Sequence, residues 1–97
     1  MQFVWDEQKR KLNIEKHGFD FRDAWRVFES PMLVALDDRF DYGEDRWIGI
    51  GRLSVHVVVV IFTEPAFDTV RIISLMKATK HERYRYEQPL RDQLGND

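Results

Sequence analysis

The chain has 97 residues, no cysteine and a formal net charge of -2. This length predicts one domain spanning residues 1–97, and the lack of cysteine excludes disulfides, thiolate metal sites and cysteine nucleophiles. The longest apolar run, Val57–Phe62, is far shorter than the roughly 20 residues of a membrane span. With no signal peptide either, we expect a cytoplasmic protein that makes no membrane contact. The acidic excess lies in residues 17–45, so the last third can still form a local cationic surface of the kind that binds nucleic acid.

Two helices are predicted before the first proline-marked break. Asp6 resembles an N-cap and Gly18 a left-handed C′ residue, which predicts a surface helix over about 6–17. Asp20 caps a second helix, which Ser30-Pro31 ends. Its predicted apolar face consists of Phe21, Ala24, Trp25 and Phe28.

After Pro31 the apolar pattern changes to the alternation typical of strands. Strands are predicted over Met32–Leu36, Trp47–Ile50, Val55–Phe62 and about 69–76, with a polar loop over Asp37–Asp45 and a tight connection over Gly51–Ser54. Thr79-x-x-Glu82 is a capping box that opens a helix over about 80–88. Pro89 is expected to end that helix, leaving 89–97 as a polar tail. The predicted fold is α+β, with two N-terminal helices, a four-stranded antiparallel meander sheet and a C-terminal helix.

Five motifs in this order, covering about 5–86, resemble the BrnT family of toxins from bacterial type II toxin–antitoxin systems. They are Trp5-Asp6-x-x-Lys9-x-x-x-Asn13-x-x-Lys16-His17-Gly18, Phe21-x-x-Ala24-x-x-Val27-Phe28, Glu44-x-Arg46 with Gly51, Arg71-Ile72-Ile73-Ser74, and Ala78-Thr79-x-x-Glu82-Arg83-x-x-Tyr86.

The resemblance implies a RelE-like fold and a metal-independent endoribonuclease that needs no cofactor. It also implies neutralisation by a BrnA-like antitoxin, contact with operator DNA only through that antitoxin, and a toxin dimer within the complex. One segment departs from the family, which usually carries Ser-Ala-Arg where this chain has Ser74-Leu75-Met76. Met76 therefore replaces an arginine suited to binding phosphate, and Lys77 is predicted to point to the opposite face of the strand. Met76 is expected to share its strand face with Ile72 and Ser74.

RNA cleavage by attack of the 2′-hydroxyl requires a base, an acid and cations that stabilise the phosphorane charge. His17 is the candidate for proton transfer, because histidine titrates near neutral pH. The alternative is that His17 only stabilises the C-terminus of its helix. Arg46 and Arg71 are the candidate charge stabilisers, because guanidinium forks bind phosphate. The alternative for each is an ion pair with Glu44 or Asp68.

Four further basic residues are candidate RNA contacts: Lys9, Lys77, Lys80 and Arg83. Each of them can equally belong to a solvated surface. Glu82 could act as a base, although the capping box accounts for it. The acidic residues of Asp37–Asp45 lack the spacing of a calcium loop and predict an acidic turn. Two functions follow from the sequence: an RNA endonuclease toxin, or a catalytically weakened toxin-fold module that binds its antitoxin and acts as co-repressor.

Overall fold

The computed structural model describes residues 1–95, with side chains up to Pro89, and within that range it is an α+β fold of three helices on one five-stranded sheet. Residues 96–97, the end of the predicted polar tail, lie outside the described residues. The strands are β1 (Gln2–Val4), β2 (Leu33–Leu36), β3 (Trp47–Leu53), β4 (His56–Ala66) and β5 (Thr69–Lys77). The helices are α1 (Glu7–His17), α2 (Ala24–Glu29), which follows a 3-10 turn at Phe21–Asp23, and α3 (Lys80–Gly95). Not one helix in this range is long and apolar enough to span a bilayer.

The sheet has the order β1-β5-β4-β3-β2, so the prediction of four antiparallel strands is wrong. The four predicted strands do form an antiparallel meander, but β1 adds a fifth strand that runs parallel to β5. Gln2 pairs with Thr69 and Val4 pairs with Arg71. Three residues are too few to show an alternating pattern, and the partner strand lies far along the chain. Only the folded chain therefore reveals β1.

Local capping chemistry sets the starts of α1 and α3 as the sequence predicts. Asp6 accepts a hydrogen bond from the Lys9 amide at 3.0 Å, and Gly18 ends α1 in the left-handed region with φ 76°. In the capping box, the Thr79 amide donates to the Glu82 carboxylate at 2.8 Å and the Glu82 amide donates to the Thr79 hydroxyl at 3.1 Å. These bonds satisfy amides that the first turn of a helix leaves without partners.

The predicted end of the last helix is wrong, because α3 continues through Pro89 to Gly95. Proline removes one hydrogen bond of the helix and often kinks it. Strong helix formers occupy both sides of Pro89, in residues 87–88 and 90–91, and they favour continuation of the helix.

The main core lies on one face of the sheet, which we call the core face. Phe21, Ala24 and Val27 are fully buried there against sheet residues that include Ile72 and Leu75. Trp25 was predicted on this apolar face, but it is 47% exposed, and Val27 is buried instead. The 3-10 turn that precedes α2 has three residues per turn rather than 3.6, and this changes which residues of α2 face the sheet.

Two glycines let the α2 segment approach β3 closely. A Cβ atom on Gly51 would lie 2.8 Å from Val27 Cγ1 and 2.9 Å from Ser30 Oγ. A Cβ atom on Gly49 would similarly collide with the Met32 side chain. The core face therefore requires glycine at position 51, whereas at position 49 the flexible end of Met32 could move aside.

The opposite side of the sheet, which we call the α3 face, carries a second apolar cluster. Tyr86 of α3 is buried in this cluster with Ile50, Val57, Val59 and Ile61. The Tyr86 hydroxyl donates to the carbonyl of Pro31 at 2.7 Å, which fixes α3 across the sheet. Strand β4 is thus buried on both faces over Val57–Thr63.

Candidate functional site

Arg46, Thr63 and Arg71 form a row across the sheet on the α3 face, with Arg46 immediately before β3. Thr63 pairs directly with Arg71. Arg46 precedes Trp47, which pairs with Phe62, so the register places Arg46 beside Thr63. Because side chains alternate along a strand and Phe62 points into the core face, all three side chains project toward the α3 face. The structure therefore brings together the two arginines that the sequence singles out.

Arg71 forms an ion pair with Glu44, which is the alternative role predicted for it from the sequence. Its Nη2 atom donates to Glu44 Oε1 at 2.7 Å, and the two side chains are 40% and 39% exposed. Arg71 also lines an open cavity of about 430 Å³ together with Val4, Lys9 and Ile73. An exposed pair of this kind contributes at most about 1 kcal/mol, so a phosphate can compete with the Glu44 carboxylate for Arg71.

Arg46 is positioned by the loop that precedes it. Its guanidinium carbon lies 4.1 Å from the centre of the Tyr42 ring, in cation–π geometry. The Tyr42 hydroxyl donates to Asp37 at 3.1 Å, and the Arg39 fork donates to both carboxylate oxygens of Asp37 at 2.8 and 2.9 Å. These Arg39 hydrogen bonds lower the pKa of Asp37 from 3.8 to about 2. The acidic turn is thus an ordered support for Arg46.

Among the described residues, no group of three or more His, Cys, Asp or Glu side chains is arranged to hold a metal ion. Asp37 is committed to Arg39 and Tyr42, and Asp41 accepts a hydrogen bond from the Gly43 amide at 3.0 Å. Those contacts give the acidic residues of this loop a structural role.

His17 lines a cavity that adjoins the cavity of Arg71. It lines a small cavity of about 190 Å³ with Lys9, Lys16 and Ser74. Lys9 is shared with the Arg71 cavity, but His17 is eight residues farther along α1, about 12 Å by the helical rise. The two cavities together form a groove between α1 and β5. Helix α1 places Lys9 beside Arg71 at one end of this groove and His17 at the other end.

The remaining cationic candidates lie where β5 ends and α3 begins. Lys77 pairs with Val58 of the core face, six residues along the strand from Arg71 and so about 20 Å away. Lys80 and Arg83 are exposed on α3, and Arg83 donates to Glu87 at 2.8 Å. Lys80 and Arg83 therefore lie on the helix side of the sheet, whereas Lys77 lies on the core face, and all three are separate from the arginine row.

Met76 packs in the apolar cluster under α3, opposite Val59. The prediction that Met76 shares its face with both Ser74 and Ile72 is wrong for Ile72. Ser74 pairs with Ile61 and Ile72 pairs with Phe62, which leaves Ile73 as an extra residue in a β-bulge. The bulge reverses the alternation, so Ile72 points into the core face. Lys77, in contrast, lies on the face opposite Met76, as predicted.

Three buried polar residues have structural roles that the sequence pattern hardly indicates. Asn13 accepts a hydrogen bond from the Leu75 amide at 3.1 Å and donates to the Leu75 carbonyl at 2.8 Å. It thereby closes the edge of β5 beyond β1. Arg10 is buried and bonds Glu7 at 2.6 Å and Asp20 at 3.1 Å, which raises the pKa of Arg10. Thr63 is 2% exposed, and its place between Phe62 and Glu64 in the sequence gives no sign of a role.

Comparisons with known proteins agree with this picture. A family model described as the ribonuclease toxin BrnT of type II toxin–antitoxin systems matches residues 5–82. The crystal structure of the Brucella abortus ribonuclease toxin BrnT superposes with a TM-score of 0.65 at 32% sequence identity. That similarity covers 82% of this chain and 99% of the Brucella chain. The search of curated proteins gives no significant match. The chain therefore belongs to the BrnT family of ribonuclease toxins of type II toxin–antitoxin systems.

Proposed function

We propose that this protein is an endoribonuclease toxin that cleaves RNA by attack of the 2′-hydroxyl on the adjacent phosphate, without a metal ion. Family membership supports the ribonuclease class. The observation that carries the proposed site is the cross-strand row of Arg46, Thr63 and Arg71, with two guanidinium groups on one sheet face. Two fixed cations can stabilise the charge that develops on a phosphorane.

The other candidates take positions along the path of the RNA. Lys9 lies next to Arg71 in the α1–β5 groove and would guide the backbone toward His17. His17 would take the 2′-hydroxyl proton only at a phosphate bound beside it, because a general base must lie within hydrogen-bond reach of that hydroxyl and His17 lies about 12 Å along α1 from Lys9. At a phosphate held by Arg71, solvent water would accept that proton. Lys77, Lys80 and Arg83 would contact more distant phosphates through charge alone.

The test is RNA cleavage by the purified chain in the presence of a chelator, compared with an Arg71→Ala variant. We expect fragments ending in 2′,3′-cyclic phosphate from the natural chain, since the attacking oxygen belongs to the substrate. In bacteria, expression of the chain alone should slow growth, and co-expression of the antitoxin should restore it. Intact RNA together with normal growth, at confirmed protein levels, would contradict the proposal.

Membership of a type II toxin–antitoxin family implies an antitoxin partner. The edge strand β2 exposes Leu33, Val34 and Leu36, and exposed apolar edge strands are typical sites of partner binding. We assign this edge to the antitoxin in a cytoplasmic complex. In that complex the toxin can dimerise and meets operator DNA only through its partner.

A second candidate function is an antitoxin-binding module and co-repressor with weakened catalysis. Two features support it: Met76 packs in an apolar cluster at the position where the resemblance leads us to expect arginine, and Arg71 is already paired with Glu44. Operator binding by the antitoxin with and without this chain distinguishes the two. Tighter operator binding combined with no RNA cleavage would identify the module.

A further inference from the structure

Two buried polar atoms stand out on the α3 face. Among the described side chains, Arg46 Nε and Thr63 Oγ1 are buried and have no hydrogen-bond partner. Buried donors in native proteins are nearly always paired, because burial without a partner removes their hydration with no compensation. The two atoms belong to neighbouring residues of the same cross-strand row. One ligand that accepts hydrogen bonds could therefore pair with both.

The chemistry of the row defines what that partner must be. The Arg46 and Arg71 guanidinium groups carry positive charge and donate hydrogen bonds only, and the Thr63 hydroxyl can donate as well. A ligand that satisfies all three must present several acceptor oxygens, and negative charge on those oxygens would also complement the two guanidinium groups. A tetrahedral phosphate has this arrangement, whereas a cation or an apolar group would leave the same atoms unsatisfied.

The Glu44 carboxylate shows how an anion binds at this position. It is held by Arg71 at 2.7 Å and lines an open cavity of about 480 Å³ together with Thr63, Trp47 and two further acidic residues, Asp45 and Glu64. An anion at Thr63 therefore depends on the two arginines of the row for its charge complementarity. Glu44 belongs to a loop and is partly exposed, so it can move aside. In the free protein its carboxylate therefore binds Arg71, one of the two arginines that an external anion would use.

We propose that Thr63 is a substrate-binding residue whose hydroxyl donates to a phosphodiester oxygen of RNA held between Arg46 and Arg71, after that phosphate displaces Glu44. This inference rests on the proposed ribonuclease function for the identity of the ligand. It adds Thr63 and Glu44 to the site, one as a ligand of the phosphate and the other as its internal competitor.

Thr63→Val tests the ligand role, because valine keeps the shape of threonine and removes the hydroxyl. The probe is an RNA oligonucleotide with fluorine at every 2′ position, which cannot be cleaved by 2′-hydroxyl attack. We expect Thr63→Val to weaken binding about tenfold, the loss typical of one hydrogen bond to a charged group. Its thermal midpoint should equal or exceed that of the natural chain, because a buried unpaired hydroxyl has gone.

Thr63→Ser is the matched control, since it restores the hydroxyl and should bind the probe within about twofold of the natural chain. A purely structural role for the side chain would not produce this rescue. Unchanged binding by Thr63→Val, or a lowered midpoint that reveals an internal partner for the hydroxyl, would overturn the proposal. So would failure of the natural chain to bind the probe.

Glu44→Gln tests the competitor role. Removing the charge should tighten binding of the fluorinated RNA about threefold, the gain expected from breaking an exposed ion pair. Unchanged or weaker binding would contradict the displacement of Glu44.

Inorganic phosphate, titrated in the same assay, separates the two sources of this ligand chemistry. If Thr63→Val weakens binding of free phosphate but not of the fluorinated RNA, the site serves a free anion and the RNA assignment is wrong. If the natural chain binds the probe through Thr63 but leaves ordinary RNA intact, the proposed cleavage fails while the binding role of Thr63 stands.

Discussion

The two faces of the sheet, built from the same strands β3, β4 and β5, differ in how their polar groups are paired. On the core face, Phe21, Val27 and Leu75 are fully buried in a closed apolar cluster. On the α3 face, Tyr86 covers an apolar cluster, and beyond that cluster Arg46 and Thr63 keep buried polar atoms without partners. The core face buries apolar side chains, whereas the α3 face holds buried polar atoms that could still form hydrogen bonds. This difference is what locates the candidate site.

If the core face is responsible for stability alone, Phe21→Ala should have the largest effect. Removing a fully buried aromatic ring leaves a cavity and should cost about 3–5 kcal/mol of unfolding free energy. Urea denaturation of the natural and variant chains measures this change. Trp25→Ala on the same segment is the control and should cost far less, because Trp25 is 47% exposed. Equal losses would show that α2 packs on the sheet through a different side.

If the α3 face serves activity and not stability, Arg71→Ala should lower activity strongly and stability hardly at all. Loss of one preorganised charge stabiliser should reduce RNA cleavage about 100-fold. The thermal midpoint should hardly change, because the ion pair with Glu44 is exposed. Initial cleavage rates and melting curves measured on the same preparation test both statements.

Arg22→Ala is a suitable control for Arg71→Ala. It removes an exposed arginine beside the 3-10 turn, away from the arginine row. Full activity of Arg71→Ala, or an equal loss for Arg22→Ala, would mean that the row is not the catalytic face.

Asn13 tests the edge of the sheet, where neither face dominates. Asn13→Ala leaves the Leu75 amide and carbonyl without partners in a buried position. It should cost about 2 kcal/mol. Amide hydrogen exchange at Leu75 should accelerate in this variant. Lys11→Ala on the same helix is exposed and serves as the control. Unchanged exchange at Leu75 would contradict a sealing role for Asn13.

The smallest expected effect concerns the loop that supports Arg46. Folding lowers the pKa of Asp37 from 3.8 to about 2, so the folded state binds fewer protons than the unfolded state in this range. The stabilisation is therefore complete above about pH 4 and is lost as the pH falls toward 2. Melting curves of Asp37→Asn should lose this part of the acid dependence, which a comparison with the natural chain isolates. Parallel acid profiles for the two chains would contradict it.

Local signals in the sequence were sufficient for much of the fold. The caps of α1 at Asp6 and Gly18, and the capping box of Thr79 and Glu82, involve neighbours within a few residues. Alternating apolar residues likewise identified the four antiparallel strands, although not every boundary. Such features depend on short-range geometry, and therefore they can be predicted before any tertiary contact is known.

The site required more than local signals. The sequence selected Arg46 and Arg71 by charge, and the strand register places them on either side of Thr63. It also selected His17 by chemistry, but α1 holds His17 at the far end of the groove from Arg71. Residue type thus indicated the candidate residues. Only their positions in the fold show that Arg46 and Arg71 lie together and that His17 lies apart from them.

The sequence by itself determined the residue types, the helix caps, the antiparallel meander and the family resemblance, because each is encoded in residue identities and short spacings. Only the tertiary structure decided the parallel pairing of β1, the bulge at Ile73 and the burial of Thr63. Each of these depends on segments far apart in the chain, and a shift of one residue in a strand exchanges its two faces. That sensitivity is why Ile72 and Met76 lie on opposite sides of the sheet.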